Sequence, residues 1–140
     1  MKKLSFVFLL IFPFMVFGQS MNLKWEDRNG REFSINSHSG KFSYSMVSGD
    51  KIKYNTSDYY GPRGSVSQIG DVRIKYNTSD YYGPKGSVSQ IGDVRIKYNT
   101  SDYYGPKGSV SQIGGLKIIY NTSDYYGPKG SIKETKGSVY

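Results

Sequence analysis

Cysteine is absent from all 140 residues, which excludes a disulfide framework and any thiolate metal site. Histidine occurs once, as His38 in "NSHSG", which reads as a polar, solvated loop rather than the setting of a general base. Acidic residues number only 11, against 19 Lys and Arg. Asp58, Asp80, Asp102 and Asp124 recur with a repeated unit, so none is singular as a catalytic carboxylate would be. One carboxylate per unit is also far short of the six to eight oxygens that calcium takes. The expectation is a non-enzyme without cofactor or metal.

Long hydrophobic runs are missing beyond the first residues. Lys2 and Lys3 precede a nearly continuous apolar stretch from Leu4 to Phe17. Val16-Phe17-Gly18 then offers small residues at −3 and −1 of a signal-peptidase site. The stretch is shorter than the ~20 residues of a bilayer span. Residues 1–18 are therefore expected to be a signal peptide cleaved before Gln19, giving a secreted, periplasmic or cell-surface protein. Export without cysteine fits a bacterial envelope better than a small disulfide-stapled domain.

Losing Lys2 and Lys3 with the leader lowers the net charge from +8 to +6. That balance favours acidic surfaces, nucleic acid and lipopolysaccharide among them. The expected partner is a polysaccharide or another anionic envelope polymer, with self-association as the alternative; nucleic acid is not expected.

What the chain has in abundance is one sentence, repeated. Tyr54, Tyr76, Tyr98 and Tyr120 lie 22 residues apart, each followed by "NTSDYYGP", a basic residue and Gly. The copies from Lys53 and Lys75 agree at 21 of 22 positions; those from Lys75 and Lys97 agree at 19, departing at Gly115, Leu116 and Lys117. A fixed period is the mark of a repeat architecture, with atypical end units.

Each unit reads as a hairpin plus a loop. In "SVSQIGDVRIKY", two β-prone stretches flank Gly70-Asp71, and Gly at the first central position suits a type II′ turn. That turn sets Ile69 opposite Val72, Gln68 opposite Arg73, Ser67 opposite Ile74, Val66 opposite Lys75 and Ser65 opposite Tyr76. With the strand period of two, Ile69, Val72, Ile74 and Tyr76 share an apolar face. Gln68, Arg73, Lys75 and a lone Val66 share the other, basic face.

The predicted fold is all-β: an antiparallel meander of tandem β-hairpins with a 22-residue repeat over residues 51–132. A β-solenoid is the alternative, but it would stack Lys75 on Lys97, and like charges directly opposed destabilise. Residues 19–50 read as divergent N-terminal hairpins or a cap, with Asn29-Gly30 one turn and Ser48–Asp50 a looser one. Residues 133–140 read as a closing strand within a divergent C-terminal strand pair. The apolar face still needs cover, from curling of the sheet, from the tyrosines or from another molecule. Near-identical units also read as interchangeable, so that losing one would change stability only by degrees.

The linking segments "NTSDYYGPKG" hold the candidate binding residues. These are Tyr59, Tyr60 and Arg63; Tyr81, Tyr82 and Lys85; Tyr103, Tyr104 and Lys107; and Tyr125, Tyr126 and Lys129. Tyrosine offers a flat apolar face with a hydroxyl, suited to stacking on sugar rings, and the adjacent cation suits acidic groups. The competing reading packs these rings over the sheet, since Tyr is a favoured strand residue. "GPKGS" is not a phosphate loop, because Lys precedes the second Gly. "NTS" at Asn55, Asn77, Asn99 and Asn121 fits the glycosylation pattern only formally.

The "IKYN…G…GSV" spacing over residues 51–132 resembles YD-type repeats of bacterial surface proteins. The Tyr-Tyr pairs resemble the paired aromatics of choline-binding cell-wall repeats, and the period is similar to that of curli-type amyloid repeats. These resemblances imply a secreted β-repeat protein with a structural or adhesive role at the cell envelope. The alternatives are polysaccharide binding through the Tyr-Tyr-Gly-Pro-Lys loops, or an amyloid-like fibre subunit.

Overall fold

The computed structural model describes residues 20–140, together with the backbone of a two-residue strand, β1, at Phe8–Leu9. The expected leader, residues 1–18, otherwise lies outside the described residues. The protein is all-β, and its strands form an antiparallel meander of hairpins in two sheets. The first takes the order β1, β2 (Asn22–Glu26), β3 (Glu32–Asn36), β4 (Phe42–Tyr44). The second runs β5 (Ile52–Tyr54), β6 (Val66–Ile69), β7 (Val72–Tyr76), β8 (Val88–Ile91), β9 (Val94–Tyr98), β10 (Val110–Ile113), β11 (Leu116–Tyr120), β12 (Ile132–Lys136), each strand beside its sequence neighbours.

The Gly-Asp connections form as the sequence requires. Gly70, Gly92 and Gly114 have φ of 57°, 58° and 57°, while among the described residues no non-glycine residue has positive φ. Positive φ at the first central residue alone distinguishes type II′ from I′. Ile69 faces Val72 and Gln68 faces Arg73 as expected. The β6–β7 ladder pairs these two residues of each strand and then ends. Across the loop, Lys75 pairs with Gln90 but Tyr76 pairs with Val88, so Ser89 is an extra residue. This β-bulge flips the strand's parity. Val88 and Val110, expected on the basic face with Val66, turn inward and are buried.

The N-terminal strands do not cap the end of the repeat sheet. They fold over its apolar face. Leu23 and Trp25 of β2 and Phe33 and Ile35 of β3 form one core with Ile69, Ile91, Val94, Ile113 and their neighbours. The alternation in "NLKWE" and "EFSIN" makes β2–β3 apolar on one side only, so two one-sided sheets satisfy each other. Ser48–Asp50 is correspondingly not a hairpin turn: β4 and β5 belong to different sheets, and the chain crosses between layers there.

Polar anchors fix the cover at both ends. Near the first Gly-Asp turn, the buried Arg31 guanidinium is bidentate to Asp50, at 2.9 and 2.8 Å, and also meets Asp27 and Asp71. Arg31, together with the Val47 N–H, holds the Asp50 carboxyl below its ordinary range. At the loop end, Ser37 O accepts from the Val110 N–H at 2.7 Å and lies 3.2 Å from the Tyr120 hydroxyl oxygen. His38 is no solvated loop residue. Its Nε2 donates to Gly130 O at 2.8 Å, its Nδ1 accepts from the Ser37 hydroxyl, and its ring meets Tyr120 edge-on.

The cover thus runs diagonally from the first unit to the last, and burial follows it. At the repeated tyrosine, exposure falls from 55% at Tyr54 to 6% at Tyr98 and 3% at Tyr120. The C-terminus completes the core. Only β12 is a strand; the tail beyond it returns over the last turn, where Gly115 N–H donates to Val139 O and Val139 is buried. This explains why the last unit reads Gly-Gly: a Cβ at Gly115 would sit 2.6 Å from Ser138 O.

A cover of fixed width also limits the number of units. Inserting one further 22-residue copy would carry the last hairpin, with Leu116 and Ile118, beyond the N-terminal sheet. Such a chain is expected to associate in solution, read as an increased mass by light scattering after size exclusion; a strictly monomeric product would contradict the covering role.

Candidate functional site

The four linking loops share one construction. In the second, Asn77 N–H donates to Ser87 O and Gly86 N–H to Asn77 O, both at 2.8 Å, closing the base. Asp80 Oδ1 accepts from the Lys85 N–H at 2.7 Å, bracing the tip. The Asn77 side-chain amide donates to Ser87 Oγ. That amide, the atom a glycan would occupy, is turned into the loop base. The same bonds recur from Asn55, Asn99 and Asn121.

Glycine and the repeated core tyrosine seat the first three loops on the sheet. A Cβ at Gly83 would fall 2.7 Å from the Tyr98 ring, which is why "YYGP" needs glycine there. The Tyr98 and Tyr120 hydroxyls donate to the bulge carbonyls of Val88 and Val110 at 2.7 and 2.6 Å. Burial pushes both phenols up to about 12; Tyr76, which bonds Val66 O in the same way, is raised too. Successive loops touch: atoms added at Gly86, Gly108 and Gly130 would meet the rings of Pro62, Pro84 and Pro106 at 3.3–3.5 Å. The loops therefore stand in a row along one end of the sheet.

The paired tyrosines are not packed over the sheet. All eight, Tyr59-Tyr60 through Tyr125-Tyr126, are 73–80% exposed. Each pair is T-shaped, with centroids 4.6 Å apart and planes 80–84° from parallel. Adjacent units lie two strands apart, so the pairs recur every ~10 Å. Arg63, Lys85, Lys107 and Lys129 are also exposed at the loop tips. Among the described residues, the cation that lies over a ring is a different one: Lys133 of β12, with Nζ 5.0 Å from the Tyr126 centroid. Nothing in the repeat pattern marks it, because β12 diverges from the unit.

A recess of about 660 Å³ opens at the opposite end, among Trp25, Arg31, Asp71 and Asp93. Its Arg31 is already engaged by three carboxylates. The architecture is a two-layer β-sandwich whose repeat sheet projects an aromatic row from one end. No family model, curated protein or solved structure matches the chain.

Proposed function

We propose that this is a secreted, non-enzymatic β-repeat module with an adhesive role at the cell envelope, holding an extended polysaccharide or similar envelope polymer along its tyrosine row. The observation that carries the reading is the exposure of eight tyrosines on loops that are braced by hydrogen bonds at base and tip. Exposing so much aromatic surface forgoes burial worth roughly 1.5–3 kcal/mol for each large side chain. Each ring already rests edge-to-face on its neighbour, which limits the side-chain freedom lost on binding. Four equivalent sites in a row add avidity for a repeating ligand. Self-association into fibres has less support, since the apolar face is covered within one chain.

Glycan-array binding and cell-wall pulldown test this. Tyr81→Ala with Tyr82→Ala is expected to weaken binding about tenfold, the scale of a lost aromatic contact, with unfolding unchanged. Equal binding by the variant would remove the tyrosine row from the function.

A further inference from the structure

The outer face of the repeat sheet carries a second, independent feature. We propose that it is a binding track for a linear acidic polysaccharide of the polyuronate type, lying across the strands.

Register brings the cations into line. Lys53 and Arg73 flank Gln68, Lys75 and Arg95 flank Gln90, and Lys97 and Lys117 flank Gln112. Each flanking pair is two strands, ~10 Å, apart; the step from Arg73 to Lys75, or Arg95 to Lys97, is ~7 Å along one strand. Lys136 continues the line opposite Lys117. The result is one diagonal track from β5 to β12, about 34 Å across. All seven cations are exposed, and among the described residues none makes an ion pair. The intervening glutamines carry no charge to neutralise them, and each side-chain amide donates to its own turn carbonyl. Glu134, opposite Ile119, is the one carboxylate on this face among the described strand residues.

Solubility does not account for the arrangement. The outer face of the N-terminal sheet is solvated by groups of both signs, with Lys24 opposite Ser34 and Glu26 opposite Glu32, and Ser34 bonded to Ser43. On the repeat sheet, like charges accumulate at a cost, most directly where Lys117 opposes Lys136. A ligand that supplies the missing charge relieves that repulsion. A β-linked polyuronate with alternate rings inverted presents carboxylates on one side about every second ring, ~10 Å, which is the two-strand spacing of the track. A membrane would demand a broader flat contact than a single line, and duplex DNA a denser set of cations.

The test uses the chain from Gln19, alginate as the polyuronate, and dextran, duplex DNA and anionic phosphatidylglycerol vesicles as comparisons. Alginate is expected to bind and dextran not, with affinity falling about tenfold or more between roughly 50 and 200 mM salt as counterions return. Arg73→Gln, Lys75→Gln, Arg95→Gln and Lys97→Gln together should weaken alginate binding at least tenfold while leaving the melting temperature equal or higher. Lys24→Gln with Lys41→Gln should leave binding unchanged, which separates this track from net positive charge alone. Alginate binding that survives the fourfold change, or DNA or vesicles bound as tightly as alginate, would overturn the proposal.

Discussion

Trp25→Ala is expected to cost about 4 kcal/mol, the range for emptying a large aromatic site in a core, and to leave a protein that self-associates. Trp25 is 1% exposed and lies at the centre of the cover, against Phe33 with centroids 5.9 Å apart. Domains of this size have only ~5–15 kcal/mol in hand. Loss of the ring loosens β2–β3 and uncovers Ile91, Val94 and Ile113, so weakened stability and association should appear together. Urea unfolding and light scattering measure the two. Trp25→Phe should cost less, about 1–2 kcal/mol, because a ring remains; the indole N–H, which has no hydrogen-bond partner, no longer has to be kept from water. Lys24→Ala, on the solvated side of the same strand, should change stability by under about 0.5 kcal/mol. If Trp25→Ala resembled Lys24→Ala, the N-terminal sheet would not be the cover.

A cooperative alkaline unfolding between about pH 10 and pH 12 is the second large effect. Tyr98 and Tyr120 are buried as neutral phenols and pushed up to about 12, from 10.0 when solvated. A raised folded value gives stability that is complete below pH 10 and is lost as pH rises through 12. Each phenol should contribute a loss of about 2 kcal/mol by the upper end of that window. The transition can be followed by circular dichroism alongside tyrosinate absorbance, which the exposed pairs will show earlier. Tyr98→Phe with Tyr120→Phe is expected to cost about 1 kcal/mol per lost hydroxyl at neutral pH, yet to move the alkaline midpoint upward. A double variant that unfolds at the same alkaline pH would assign the transition to other groups.

Much of the repeat sheet can be read directly from the chain. The 22-residue period, the Gly-Asp turns and the alternation Ile69, Val72, Ile74, Tyr76 specify hairpins with one apolar face. Val66 and its equivalents could not be placed by alternation, since a bulge shifts parity without changing composition. The bulge becomes explicable only when Tyr76 is seen to bond Val66 O, a contact across ten residues. The tyrosine pairs were legible as candidates, but their exposure was not: "YY" in a β-rich chain fits packing and display equally well.

His38 shows the same boundary. Among serines it reads as solvated, and only the fold brings Gly130 to it, 92 residues away.

By itself, the sequence determined the strands, their turns and the two-sidedness of each sheet, because these depend on local φ preference and on a period of two. The tertiary structure alone decided what covers the apolar face, how many units the cover admits, and which tyrosines are core and which are free. Those outcomes depend on contacts between residues far apart in the chain. Identical units carry no local mark of their place in the array: Tyr54 is open because no loop precedes it, and Tyr120 is buried because the loop at Gly105 seats on it and the N-terminal sheet reaches it at Ser37.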